Sequence, residues 1–175
     1  MPMPKVDSLQ DTEGEAKTVA MAKGSPQSGQ DYETDFYGWT QNQARLLRRG
    51  QFTELDIINL SEEIEALGRQ QRQELKSRLG ILIGHLLKWQ YQSEKRSRSW
   101  QVTIRGQRRD IQELLLDNPS LKPYIPEALS RGFLVGLDLV VLETPLTYVA
   151  FPDECPYTLE QLFDYNFPEG IADLL

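Results

Sequence analysis

An unbroken helical stripe constrains this chain most. Ile57, Leu60, Ile64 and Leu67 follow one another at three- and four-residue intervals, and Gln71, Leu75, Leu79, Leu82, Leu86 and Trp89 continue the series. Such spacing keeps one face of a 3.6-residue helix apolar. No proline interrupts the run, and Gly68 is its weak point. The pattern predicts one long helix over about residues 54–91, or two nearly collinear ones, about 57 Å from end to end at 1.5 Å per residue.

Shorter stripes flank it. Phe36, Trp39, Gln43 and Leu46 share a face between Thr34 and Arg49, with Gly50 placed as a C-terminal cap. Ser97 or Ser99 can cap a helix whose stripe is Trp100, Ile104, Gln107, Ile111, Leu114 and Leu115, and Asp117-Asn118-Pro119 ends it. Pro126 suits the first turn of the next helix, striped by Leu129, Phe133, Leu137 and Val140. Thr158, three residues before Gln161, signals a capping box for a last short helix. No stretch alternates as a strand would. The expected fold is all-α: an irregular bundle of four to five helices with the long helix at its centre. Residues 1–30 are poor in large apolar side chains and read as a mobile tail, leaving 31–175 as a single helical domain.

Charge is laid over this periodicity unevenly. Residues 69–109 carry eleven Lys/Arg against two acids, whereas residues 110–175 carry two against twelve, within a chain of net charge −7. Trp89, Tyr91 and Trp100 lie inside the basic stretch. A positive stripe on an acidic protein implies a specific anionic partner, outside or within the molecule, rather than general adhesion to polyanions. The single cysteine, Cys155, excludes an intrachain disulfide and suits a reducing cytoplasm. The apolar run Ile81–Leu87 is broken by Gly84 and His85 and falls short of the roughly 20 residues that a membrane span needs. Acids where a leader would be apolar argue against export, so a cytoplasmic protein without membrane contact is expected.

Candidate chemistry is sparse. Glu62, Glu63, Glu65 and the only histidine, His85, offer carboxylates and an imidazole, but on one continuous helix Glu63 and His85 stand about 33 Å apart. With one histidine there is no Glu-x-x-His or His-x-x-x-His spacing, so no metal is expected. Cys155 sits among acids between two prolines, which disfavours a thiolate paired with His85. Glycine-rich phosphate loops are absent, and no cofactor is implied. The sharper constellation is basic: Arg105, Arg108 and Arg109 fall at i, i+3 and i+4, extended by Lys95, Arg96 and Arg98 in the preceding turn. Guanidinium forks at such a ridge suit phosphates or carboxylates. The competing reading is a solvated or internally paired helix face, with the acidic C-terminal third folded onto the ridge.

The strings YETDFYGWTQNQARLLRRG, LDIINLSEEIEALG, HLLKWQY, RSRSWQVTIRGQRRDI and FPDECPYTLEQL resemble the bacterial, largely cyanobacterial family catalogued as domain of unknown function 29. The resemblance runs over about residues 31–167 and implies an all-α fold and no particular activity. On residues and resemblance together, the expectation is a non-enzymatic cytoplasmic module that binds an anionic partner surface, an acidic protein before a nucleic acid, through Lys95, Arg96, Arg98, Arg105, Arg108 and Arg109. The alternatives are a nucleic-acid-binding module and an enzyme of unrecognised class using His85 with Glu62 or Glu63.

Overall fold

The computed structural model describes residues 31–171, and the expected tail at 1–30 lies outside them. A helical turn at residues 31–34 precedes α1 (Phe36–Arg48), α2 (Ile57–Tyr91), α3 (Arg98–Asp117), α4 (Ile125–Glu143) and α5 (Leu159–Phe163). Among the described residues there is no strand. The fold is all-α, with one long central helix. The described residues divide into two compact units, with the boundary between Glu62 and Glu63.

In the first unit α1 starts at Asp35, whose carboxylate accepts from Gly38 N, and stops before Gly50, whose φ of 67° only glycine adopts without strain. Trp39, Gln43 and Leu46 are buried as the stripe requires, but Phe36 is 50% exposed. Buried Asp56 organises this unit. Its carboxylate accepts from Trp39 Nε1 at 3.3 Å and Asn59 Nδ2 at 2.7 Å, while its own N–H donates to Gln43 Oε1 at 3.0 Å. Leu55 is extended and the Asp56 carboxylate accepts from Asn59 N, so α2 opens at Ile57, three residues later than the stripe suggested; Phe52–Glu54 form a 3-10 turn.

The second unit holds the main core. Along α2, the side chains from Leu75 to Trp89 on the stripe are buried, together with Ile83 and Leu87. The same stripe is open further up: Ile64 and Leu67 are exposed. Two glycine pairs set how α4 meets α2. A Cβ on Gly136 would stand 3.0 Å from both Gly80 O and Gly84 N, and one on Gly132 would stand 3.0 Å from Lys76 O. Backbones therefore touch where Gly80 and Gly84 face Gly132 and Gly136, and the apolar side chains on either side close around them.

The segment after α4 is fastened by polar contacts as much as by packing. Thr158 and Gln161 form the expected capping box of α5. Tyr157 OH donates to Gln90 Oε1 at 2.8 Å, Trp89 Nε1 to Glu169 O at 3.2 Å, and Gln101 Nε2 to Ile171 O. Side chains of the basic stretch and its neighbours thus hold the acidic C-terminal third.

Candidate functional site

Helix α3 sorts the expected site residues into two faces. Ser97 caps it, accepting from Trp100 N. At 100° per residue, Arg98, Val102, Arg105, Arg109, Gln112 and Leu116 fall within an arc of about 80°. All six are exposed. Gln101, Ile104, Arg108 and Ile111 share another side and are buried.

Arg108 therefore does not belong to a surface ridge with Arg105 and Arg109, which corrects the expectation from sequence. It is 1% exposed. Its Nε donates to Leu162 O at 2.7 Å, and its Nη2 to Phe167 O at 2.6 Å and Gln161 O at 3.2 Å. The last carbonyls of a helix lack partners within it, and here a guanidinium supplies them for α5. Burial draws the Arg108 pKa down to about 10, against the opposing pull of Asp164 and Tyr165; the group stays charged at neutral pH. The clue in the sequence was its place at i+4 from Ile104 and i−3 from Ile111, on the edge of the apolar stripe.

The other five differ in how engaged they are. Arg96 donates from Nε to Trp89 O at 2.9 Å and lies 5.2 Å from the Trp89 ring centre. Arg109 is held by Asp110 at 2.9 Å and, more loosely, by Glu113 at 3.9 Å. Lys95, Arg98 and Arg105 are exposed and form no ion pair with any described residue. Arg105 lies 6.0 Å from the centre of the Tyr165 ring, whose hydroxyl donates to Gln112. The acidic third neutralises the C-terminal end of the stripe at Arg109 and leaves its N-terminal end positive.

A second polar cluster was not legible as a unit in the sequence. Lys88 is 2% exposed; its Nζ lies 2.5 Å from Glu143 Oε2, 3.3 Å from His85 Nε2 and 5.0 Å from the Trp100 ring centre. His85 Nδ1 bonds Ile81 O at 2.8 Å. A carbonyl only accepts, so Nδ1 carries the proton and Nε2 accepts from Lys88. Desolvation lowers the His85 pKa and the Lys88 ammonium adds to this, while the Ile81 bond and Glu143 oppose it. The Lys88–Glu143 pair joins α2 to α4, with Lys88 buried and the Glu143 side chain half-exposed.

The carboxylates expected beside His85 lie elsewhere. Glu62, Glu63 and His85 occupy one continuous α2, with Glu63 about 33 Å from His85 along the axis, and Glu65 pairs with Arg69 at 3.5 Å. Among the described residues no three His, Cys, Asp or Glu side chains gather as metal ligands. Cys155 lines a cleft of about 380 Å³ with Ser130, Phe133, Asp153 and Glu154. Burial raises its thiol pKa, more than the bond to Tyr157 O lowers it. A neutral thiol is a poor nucleophile.

No described helix is long and apolar enough to cross a membrane. The described residues form an all-helical scaffold on which α3 presents a solvated basic face. Residues 32–168 match the family described as domain of unknown function DUF29, and the chain belongs to that family. No curated protein and no solved structure matches it.

Proposed function

We propose that this protein is a cytoplasmic interaction module that binds the anionic surface of another macromolecule through a basic stripe formed by Arg98, Arg105 and, more weakly, Arg109 on α3, with Lys95 in the turn before it. One observation carries the reading. Arg98 and Arg105 lie on one helix face without a carboxylate partner among the described residues, in a chain whose net charge is −7. Positive potential confined to one stripe steers a complementary surface and discourages indiscriminate binding. A single half-buried cysteine suits a reducing cytoplasm for this encounter. A nucleic-acid partner has weaker support, because of the three aromatics in the basic stretch Trp89 is buried and the half-buried Trp100 ring faces Lys88, which leaves Tyr91 alone exposed for stacking. An enzyme built on His85 has none of the neighbouring carboxylates it was expected to use.

The test is capture from a lysate by the immobilised full chain, with and without nuclease. The triple variant Arg98→Gln/Arg105→Gln/Arg109→Gln is run in parallel. A partner that is nuclease-resistant, elutes with salt and is missing from the variant supports the proposal. An identical set of captured molecules on both surfaces refutes it.

A further inference from the structure

The stripe does not end at its last arginine. Gln112 and Leu116 continue it along α3, and both line a cleft of about 590 Å³ whose other walls are Leu115, Pro119, Lys122 and Phe163. Leu116 is 81% exposed and Val102, between the two free arginines, is 58% exposed. Isolated exposed apolar side chains need no explanation. An apolar cleft in line with a basic stripe is different, because one binding segment can reach both. With 1.5 Å of rise per residue, Arg98 and Arg105 stand about 10 Å apart, and Leu116 lies about 16 Å beyond Arg105.

We infer that the partner is an acidic protein segment carrying a bulky apolar anchor, with its carboxylates on Arg98 and Arg105 and its anchor in the Leu116–Phe163 cleft. This rests on the interaction-module reading and names the partner class for the same face. Charge is complementary over the Arg98–Arg105 part of the face, where no carboxylate of the described residues pairs with either arginine. Discrete carboxylates suit a face where Asp110 and Glu113 already hold Arg109, since these acids repel a continuous polyphosphate. The cleft walls are Leu, Leu, Pro and Phe with Lys122 at the rim, a setting for an aliphatic or aromatic side chain flanked by an acid. Desolvated apolar anchors carry most of the affinity in such contacts, and charges set register and encounter rate. A helix laid along α3, apolar and acidic residues on one side, meets these demands.

The experiment titrates the full chain into fluorescent synthetic helices and follows anisotropy. The probe is an alanine–glutamine helix with glutamates at the spacing of Arg98 and Arg105 and a phenylalanine at the spacing of Leu116, made in both sequence directions. Companions replace the phenylalanine by alanine or the glutamates by glutamine, and labelled oligothymidine is the nucleic-acid arm. The phenylalanine probe should bind about tenfold or more tighter than its alanine companion, as burial of one large apolar side chain implies. Leu116→Glu, at an exposed position where the fold is checked by circular dichroism, should erase that difference. Arg98→Gln/Arg105→Gln should weaken both acidic probes by about tenfold. Equal affinity for the phenylalanine and alanine probes overturns the anchored segment while leaving the basic stripe as a binding face. Tighter binding of oligothymidine, lost in Arg98→Gln/Arg105→Gln, overturns the protein partner alone. Binding of no probe, together with unchanged lysate capture by the triple variant, removes both readings.

Discussion

Arg105 and Arg108 are one turn apart on the same helix, with the same chemistry and nearly the same neighbours, yet they do opposite things. On the inner face Arg108 is surrounded by Ile104, Ile111 and the carbonyls of residues 161, 162 and 167, and it acts as part of the core. On the outer face Arg105 meets solvent and lies over the Tyr165 ring, 6.0 Å from its centre. A shift of about 60° around the helix separates a buried structural cation from a solvated one. Charge counting along the sequence weighs the two residues equally; only position relative to the apolar stripe distinguishes them. Variants of the inner face should therefore register in stability, and variants of the outer face in binding.

The inner face should be the more costly to alter. Arg108→Met removes the donor of three carbonyls, leaving Leu162 O buried and Gln161 O and Phe167 O part-buried, with hydrogen bonds to charged groups worth about 1.5–3 kcal/mol each and part of the loss recovered by rearrangement and solvent. We expect a destabilisation of about 3–5 kcal/mol in urea denaturation, and loosening of residues 161–167 in hydrogen exchange. A loss below about 1 kcal/mol would place Arg108 with the surface residues and break the comparison.

Trp100, half-buried where α3 begins, comes next. Trp100→Ala should cost about 2–3 kcal/mol, less than the roughly 3–5 kcal/mol typical of fully buried aromatic residues, because its ring is only partly enclosed and also faces the Lys88 ammonium. If this variant keeps wild-type stability but loses lysate partners, the residue belongs to the binding face instead.

His85 gives a smaller effect with a defined sign. Its pKa is lowered in the folded protein by desolvation first. The unfolded chain thus takes up a proton at a pH where the folded one does not. No contribution exists well above the ordinary imidazole value of about 6.5, and stability falls as pH drops through it. His85→Gln should flatten the urea midpoint between about pH 7 and pH 5.5 relative to wild type. An unchanged slope would show that the Lys88–Glu143 pair, not the imidazole, dominates that cluster.

Local signals were legible before any coordinates. The Thr158–Gln161 capping box, the Gly50 terminus and the Ser97 cap each depend on residues within a few positions of one another, and each is present. The long α2 was legible for the same reason, since its stripe is a property of one segment. What could not be read arises between segments. Arg108 finds its acceptors more than fifty residues away. The Lys88–Glu143 pair spans two helices, and the apolar cleft takes residues from α3, α5 and the turn between α3 and α4. The glycine contacts at Gly80, Gly84, Gly132 and Gly136 show the same limit. Their four-residue spacing is visible in the sequence, but nothing local says that the two pairs meet.

The smallest expected effect on stability is the most informative for function. Arg98→Gln/Arg105→Gln/Arg109→Gln changes three exposed side chains, of which only Arg109 pairs with carboxylates among the described residues, and exposed pairs contribute about 0–1 kcal/mol. Unfolding should move by no more than about 1 kcal/mol in either direction. Partner capture should nevertheless collapse, and whatever binding remains should lose its dependence on salt, since screened attraction to the stripe is what salt weakens. Should capture persist with its original salt sensitivity, the anionic partner is being held elsewhere and the outer face of α3 is only solvated. Should stability fall by several kcal/mol, the outer face is architectural like the inner one, and the distinction between Arg105 and Arg108 would vanish. A stable, binding-deficient triple variant set beside an unstable Arg108→Met is the pair of results that the two faces of α3 require.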